Sequence, residues 1–299
     1  MPNLAELHRH LDGSLRPATL RELATLHHVD LPNDIRFTAG MGLSEALARF
    51  EVTLACLQMP DAVARVADEM CEDAALESTS YLEIRFAPQL HQGAAMEVIV
   101  DAALEGAAGR AQFILCALYG EAPELVEKLV TLAAERDGVV GIDLAGGPAP
   151  FHSFGMTDYA PAFTRAKALG LGRTVHAGEG RPPQEIAFAI KELHAQRVGH
   201  ACSVLDSNED CDLMLERNVT IEACPSSNVH TGIYQRVADH PLPQWLDRGL
   251  QVCVCTDNTL LSDVDLPTEL ARVAAIEGMT ADKMDAVIRF GHDAAFGTR

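Results

Sequence analysis

Residues 173–224 read RTVHAGEGRPPQEIAFAIKELHAQRVGHACSVLDSNEDCDLMLERNVTIEAC, and their rhythm decides the fold. Three short apolar runs, Arg173–His176, Arg197–His200 and Val219–Cys224, are separated by two amphipathic stretches, Pro183–Ala195 and Glu209–Arg217. Strand, helix, strand in that order marks a βαβ unit, whose strands run parallel. The alternation continues both ways. Upstream, strands are predicted at Asn3–His10, Tyr81–Ala87, Gln112–Tyr119 and Val139–Leu144, with helical stretches such as Ala62–Glu77 and Ala122–Arg136; downstream, Gln251–Thr256 is the eighth. Eight such strands predict an α/β fold, a (β/α)8 TIM barrel. A doubly wound open sheet is the alternative, but it usually has fewer strands, and no Gly-rich nucleotide loop follows the first strand here. Residues 14–80 are too long for one crossover and carry helical patterns at Pro17–His28 and Ser44–Leu57. Extra helices are therefore expected after the first strand, over the top of the barrel as a lid. With no repeat, low-complexity tract or linker, residues 1–299 are expected to form a single domain.

Composition narrows the function. Of 299 residues 48% are hydrophobic, enough for a large core, and 43 acidic against 23 basic residues leave a formal charge of −20. That surface repels phosphate backbones and anionic lipid, which argues against nucleic acid or membrane as a partner, while a neutral small molecule is not repelled. The eight cysteines include no CxxC pair, and most lie in apolar runs such as Val252–Cys255, where a reduced thiol acts as a small hydrophobe. No basic leader with a following apolar stretch and no run near 20 apolar residues is visible, so a cytoplasmic location is expected.

The ends of the predicted strands carry the chemistry. His8 and His10 end the first, Asp143 and Gly146 lie at or just past the fourth, His176 and Glu179 follow the fifth, His200 ends the sixth, and Asp257 and Asn258 close the eighth. In a barrel these ends converge on one rim. Residues i and i+2 of a strand share a face, so both imidazoles of His8-Arg9-His10 can reach one ion. Each piece has a plainer reading: hydrogen-bonded imidazoles for the His-x-His pair, structural histidines for His176 and His200, a helix cap for Asp257 and an exposed loop acid for Glu179. Together, three imidazoles and a carboxylate suit Zn²⁺ with one position left for water. Glu179, between two glycines, stands where a carboxyl could shuttle a proton, and His200 could act beside the water as base or electrostatic stabiliser. Asn228 in Cys-Pro-Ser-Ser-Asn reads as a rim-shaping loop, and Arg85 and Trp245 as structural.

In order, residues 6–17 (ELHRHLDGSLRP), 81–88 (YLEIRFAP), 141–146 (GIDLAG), 174–179 (TVHAGE), 197–200 (RVGH), 224–228 (CPSSN) and 256–258 (TDN) give the chain a pattern that resembles the adenosine deaminase family of metal-dependent amidohydrolase barrels. The resemblance implies one zinc ion per chain on His8, His10, His176 and Asp257. It implies Glu179 as proton donor to purine N1 and His200 as the group that orients and helps deprotonate the attacking water. It further implies that Gly146 offers backbone contact to the purine, Asn258 meets N7, and Asp12 holds the ribose 5′-hydroxyl, with His10 also lining the substrate site. The implied reaction is hydrolytic deamination of adenosine, and of 2′-deoxyadenosine, to inosine and ammonia in purine salvage. Three departures stand out: Asn258 replaces the family's usual Asp, Gly147 and Pro148 replace a more usual acidic pair, and the chain is shorter than many members. Asp12-Gly13 matches the nucleoside-type pattern, whereas relatives acting on adenine or aminodeoxyfutalosine usually carry Glu-Gly; those two 6-aminopurines and N6-modified adenosine are the alternative substrates. A non-catalytic binding protein on the same barrel would predict a lost ligand or proton donor, yet all are present. The H-x-E with P-C-x-x-C pattern of cytosine-editing deaminases is missing, and no lysine follows the fourth strand to bridge a second metal.

Overall fold

The computed structural model describes residues 3–297. Eight parallel strands lie in the order of the chain: β1 (Leu4–His10), β2 (Thr79–Phe86), β3 (Gln112–Leu118), β4 (Val139–Ala145), β5 (Gly172–Ala177), β6 (Arg197–His200), β7 (Thr220–Ala223) and β8 (Gln251–Val254). Beyond β8, a bridge between Arg9 and Asp257 joins the eighth strand's extension to the first, with the amide of His10 donating to the Asp257 carbonyl (2.8 Å) and that of Asp257 to the His8 carbonyl (2.8 Å). The ring is thereby drawn together at the rim where the histidines stand. This is the (β/α)8 barrel the alternation implies.

Helices α1 (Pro17–His27), α2 (Leu43–Cys56) and α3 (Pro60–Leu76) form the excursion after β1. They are followed by α4 (Met96–Ala107), α5 (Pro123–Ala134), α6 (Met156–Ala168), α7 (Gln184–Lys191), α8 (Asn208–Arg217), α9 (Pro225–His230), α10 (Leu242–Asp247), α11 (Leu266–Ala274) and α12 (Ala281–Asp293). Local chemistry sets many of their ends. Pro17, Pro60 and Pro123 occupy first-turn positions, where a missing N–H costs nothing. Ser207, Asp265 and Thr280 cap α8, α11 and α12 by accepting backbone N–H groups. α12 lies across β1 and β8 and covers the seam from outside.

The strands are buried on both faces, as a parallel barrel requires. Between the strands' outer face and the helices pack Phe86 of β2 and Phe113 of β3, with Tyr159 and Phe163 of α6 and Trp245 of α10. The inner face is not purely aliphatic. Arg197 bonds Glu83 (2.5 Å) and stands 2.7 Å from Glu222; Arg85 bonds Asp143 (2.9 Å) and Glu222 (2.9 Å). Two guanidinium groups and three carboxylates are thus fully buried together. Isolated, each would cost several kcal/mol; paired and hydrogen-bonded, they form a rigid floor. Burial alone would raise the Glu222 and Asp143 carboxyls, but Arg85 with Arg197 on one, and His176 with Arg85 on the other, hold both well below the ordinary carboxylate range.

Candidate active site

The floor orients the rim. His8 Nδ1 faces Glu222 (2.8 Å) and His176 Nδ1 faces Asp143 (3.1 Å). An ionised carboxylate only accepts, so each Nδ1 carries the hydrogen and each Nε2 turns its lone pair into the barrel mouth. There the Nε2 atoms of His10 and His176 are 3.3 Å apart, and Asp257 Oδ1 lies 3.5 Å from His8 Nε2 and 3.4 Å from His10 Nε2. His8 Nε2 is buried without a hydrogen-bond partner. Ring nitrogens that close together favour a positive centre between them.

Protonation points the same way. Burial pushes His10, His176 and His200 below the ordinary imidazole range, which keeps them neutral, the form that binds metal. His8 moves upward instead. Burial and Arg85 oppose its charge, but the carboxylates of Asp257 and Glu222 outweigh them. The site favours positive charge at His8 Nε2, and a divalent cation meets that demand. Three imidazole nitrogens and one carboxylate are a donor set suited to zinc.

The backbone bends to present these groups. Asp257 (φ 62°) and His200 (φ 66°) both sit in the left-handed region, which costs a non-glycine residue of order 1–3 kcal/mol and persists only when the surroundings impose it. The second oxygen of Asp257 accepts from the Ser227 hydroxyl (2.5 Å). Asn228 Nδ2 donates to His200 Nδ1 (3.0 Å), leaving the hydrogen of a neutral His200 on Nε2, which stands 3.7 Å from Glu179. Ser227 and Asn228 belong to α9, so the Cys-Pro-Ser-Ser-Asn segment is a short helix opened by Pro225, not the loop its composition implied. Glu179 lies between Gly178 (φ 71°) and Gly180 (φ 63°). Burial, with the charge of Asp257 second, pushes its carboxyl up to about 7, so near neutrality it holds a proton to give.

Two adjoining spaces open over this cluster. A chamber of about 60 Å³ touches His176, Glu179, His200, Asp257 and Asn258. A cavity of about 760 Å³, within the usual range for small-molecule sites, takes in Asp12. Both are lined by His10, Leu43, Leu47, Phe50 and Gly146, so α2 roofs them, as expected for the inserted helices. Asp12 Oδ1 is buried and unpartnered; burial, with Asp257's charge, pushes that carboxyl up to about 7. Asn258 stands against Gly13, and its buried Oδ1 has no partner either. Gly146 (φ 74°) has open space where a Cβ would project. Every candidate named from the sequence thus comes to one mouth. The sequence reading missed the groups behind them: Glu222, Asp143 as a partner of His176, Ser227 and Asn228. Glu222 carried a signal, a carboxylate in the apolar strand Thr-Ile-Glu-Ala, where a charge must have a partner.

The chain is similar to known proteins over nearly its whole length. The sequence matches the family model for adenosine deaminase over residues 3–298. It is 34% identical to the adenosine deaminase of Enterococcus faecalis over 310 residues, covering 97% of this chain and 91% of that one. The N6-methyl-AMP deaminase of Arabidopsis thaliana superposes with a TM-score of 0.86 at 29% identity, covering 99% and 92%. An adenine deaminase from Arthrobacter aurescens shares the fold with a TM-score of 0.89 at 24% identity, covering 100% and 95%. Among the described residues no helix is long and apolar enough to cross a membrane. The family model, the relatives and the barrel agree, and the chain belongs to the adenosine deaminase family, hydrolytic deaminases built on the amidohydrolase barrel.

Proposed function

We propose that this chain hydrolyses adenosine and 2′-deoxyadenosine at C6, releasing ammonia and the corresponding inosine, with one zinc ion held by His8, His10, His176 and Asp257. One observation carries the reading: a cluster of inward-facing Nε2 atoms and Asp257 stands beside the buried acid Glu179, under a cavity that takes in Asp12, whose Oδ1 has no partner. Zinc there would act as a Lewis acid and lower the pKa of a water toward neutrality. The protein's own groups do the rest. Glu179 gives its proton to purine N1 as oxygen adds to C6, which removes the ring's resistance to attack. His200, its Nε2 hydrogen fixed by Asn228, orients the water and takes part in moving its proton. The proton returned to the 6-amino group lets it leave as ammonia. Asn258 offers an N–H to N7 with no proton to acquire first, and the Gly146 backbone meets the purine edge.

The wall of the larger cavity supports a nucleoside over a nucleotide. Among the described residues its lining includes Asp12 and Glu51 but no lysine or arginine, so a 5′-phosphate would meet repulsion and no cation there. Asp12 suits a ribose hydroxyl, which adenine lacks. A zinc-loaded preparation screened for ammonia release settles the choice among adenosine, 2′-deoxyadenosine, adenine, N6-methylated adenosine, its 5′-phosphate and aminodeoxyfutalosine. Adenosine should show the highest kcat/KM; a preference for the base or the nucleotide would replace this reading. Glu179→Gln should lower kcat by about 10²–10⁴-fold while zinc stays bound. Asp12→Ala should weaken adenosine far more than adenine, and equal losses would remove the ribose contact.

A further inference from the structure

Glu179 stands on a turn between two glycines with left-handed φ, a conformation glycine adopts freely, while the proposed proton transfer needs the carboxyl fixed. The Gly178 carbonyl accepts from the Ser203 amide (3.2 Å), and the Thr231 hydroxyl meets the Glu179 carboxyl. A further tie lies two residues on. Arg181 is nearly buried, at 11% side-chain exposure. Its Nη2 donates to the His176 carbonyl (2.9 Å), its Nη1 to the Gly146 carbonyl (3.3 Å) and its Nε to Glu185 (2.5 Å). The guanidinium lies 5.1 Å over the Tyr119 ring, and the Tyr119 hydroxyl donates to the same His176 carbonyl (3.2 Å). One side chain therefore joins the ends of β4 and β5, rests on the residue after β3 and closes the 176–181 turn on itself.

The neighbouring chain makes room for it. A Cβ on Gly147 would come 2.7 Å from Arg181 Nη1, so the guanidinium would have to shift from its present place. Glu185, in the first turn of α7, aims the fork. A planar group with three donors in fixed directions is what a three-way tie requires, and a lysine offers only a point charge.

We propose that Arg181 is a positioning residue: by tying the ends of β4 and β5 to the 176–181 turn it sets where the Glu179 carboxyl stands. This rests on Glu179 being the proton donor. A side chain that only stabilised the fold would change melting and leave the ratio of kcat to KM alone, whereas displacing an acid by about 1 Å costs on the order of 10²-fold in rate.

The test is a double-mutant cycle of Arg181→Ala and Glu179→Gln in the zinc-loaded protein, with metal content and thermal midpoint measured for each variant. Arg181→Ala should lower kcat about 10–100-fold with KM changed less than about threefold, and added guanidinium should restore part of the rate. In the Glu179→Gln background the same change should cost less than about twofold, because groups acting as a unit are not additive. Hydrogen exchange at the 177–180 amides should quicken in Arg181→Ala, whatever the substrate proves to be. Arg181→Lys, the milder variant should alanine misfold, should lie between wild type and Arg181→Ala in both rate and exchange. A kcat within twofold of wild type, an equal loss in both backgrounds, or unchanged exchange at 177–180 would each overturn the proposal. A wild-type chain inactive on every 6-aminopurine would sink the deaminase reading instead, and the exchange measurement would still decide the tie.

Discussion

Gly13→Ala is the sharpest probe of the Asn258 wall. A Cβ at position 13 would stand 2.6 Å from Asn258 Cγ and 2.9 Å from its Cβ, with Oδ1 closer still. Ordinary carbon contacts lie near 3.5–4.0 Å, so about 1 Å of movement is forced. Neither backbone can retreat easily. The Gly13 carbonyl accepts from the amides of Leu260 (3.1 Å) and Leu261 (3.3 Å), and Asn258 is bonded through its own amide to Thr256 (2.7 Å) and through its carbonyl to Ser262 (2.9 Å). The side chain of Asn258 must swing into the chamber it lines. Overpacking of this kind costs about 1–3 kcal/mol, at roughly 2 °C of melting temperature per kcal/mol in a chain this long. Misplacing an N7 donor by about 1 Å should cost on the order of 10²-fold in kcat/KM. The assay is ammonia release from adenosine beside a thermal melt. Asn258→Gly removes the obstructing atoms, so in that background Gly13→Ala should recover its melting temperature but not its activity. A Gly13→Ala protein that melts and turns over like wild type would refute the account of this wall.

Two further outcomes follow from buried groups. Glu222→Gln leaves Arg85 and Arg197 short of a charge and lets His8 take the wrong tautomer; zinc affinity should fall about 10–100-fold in competition with a chelator, and unaltered affinity would separate the floor from the metal. His240 is buried, its Nδ1 accepts from the Leu242 amide (3.2 Å), and burial pushes its pKa down to about 3. The unfolded chain binds this proton below about 6.5 and the folded one does not until about 3, so the residue removes stability as pH falls through that window. The slope is about 1.4 kcal/mol per pH unit. Urea melts between pH 7 and 4.5 should show a shallower loss in His240→Gln; identical slopes would assign the acid sensitivity elsewhere.

Much of this molecule can be read before folding because its periods are simple. The two-residue period of β1 puts His8 and His10 on one face, and parallel strands bring His176, His200 and Asp257 to the same rim. The observed strands end within two residues of those read from the pattern. What stayed hidden is what crosses the barrel. Glu222 reaches His8 from a strand 214 positions away, and no local period links β7 to β1. Helix α9 is too short to show a helical period, so only Pro225 hinted at it. Arg85 looked like an ordinary structural cation, and it is one; its importance lies in pairing with two carboxylates that each steer a histidine.

The left-handed backbone at Asp257 has a bearing on how such an enzyme changes under selection. The fold tolerates an unfavourable torsion because the two hydrogen bonds to β1 and the Ser227 hydroxyl leave the chain nowhere else to go. Heat tolerance sought without a demand for turnover would gain by relaxing that corner, since a glycine there adopts the same torsion freely. Barrels bred that way would outlast their ancestor and lose the carboxylate that faces His8 and His10, so durability and chemistry pull in opposite directions at this residue.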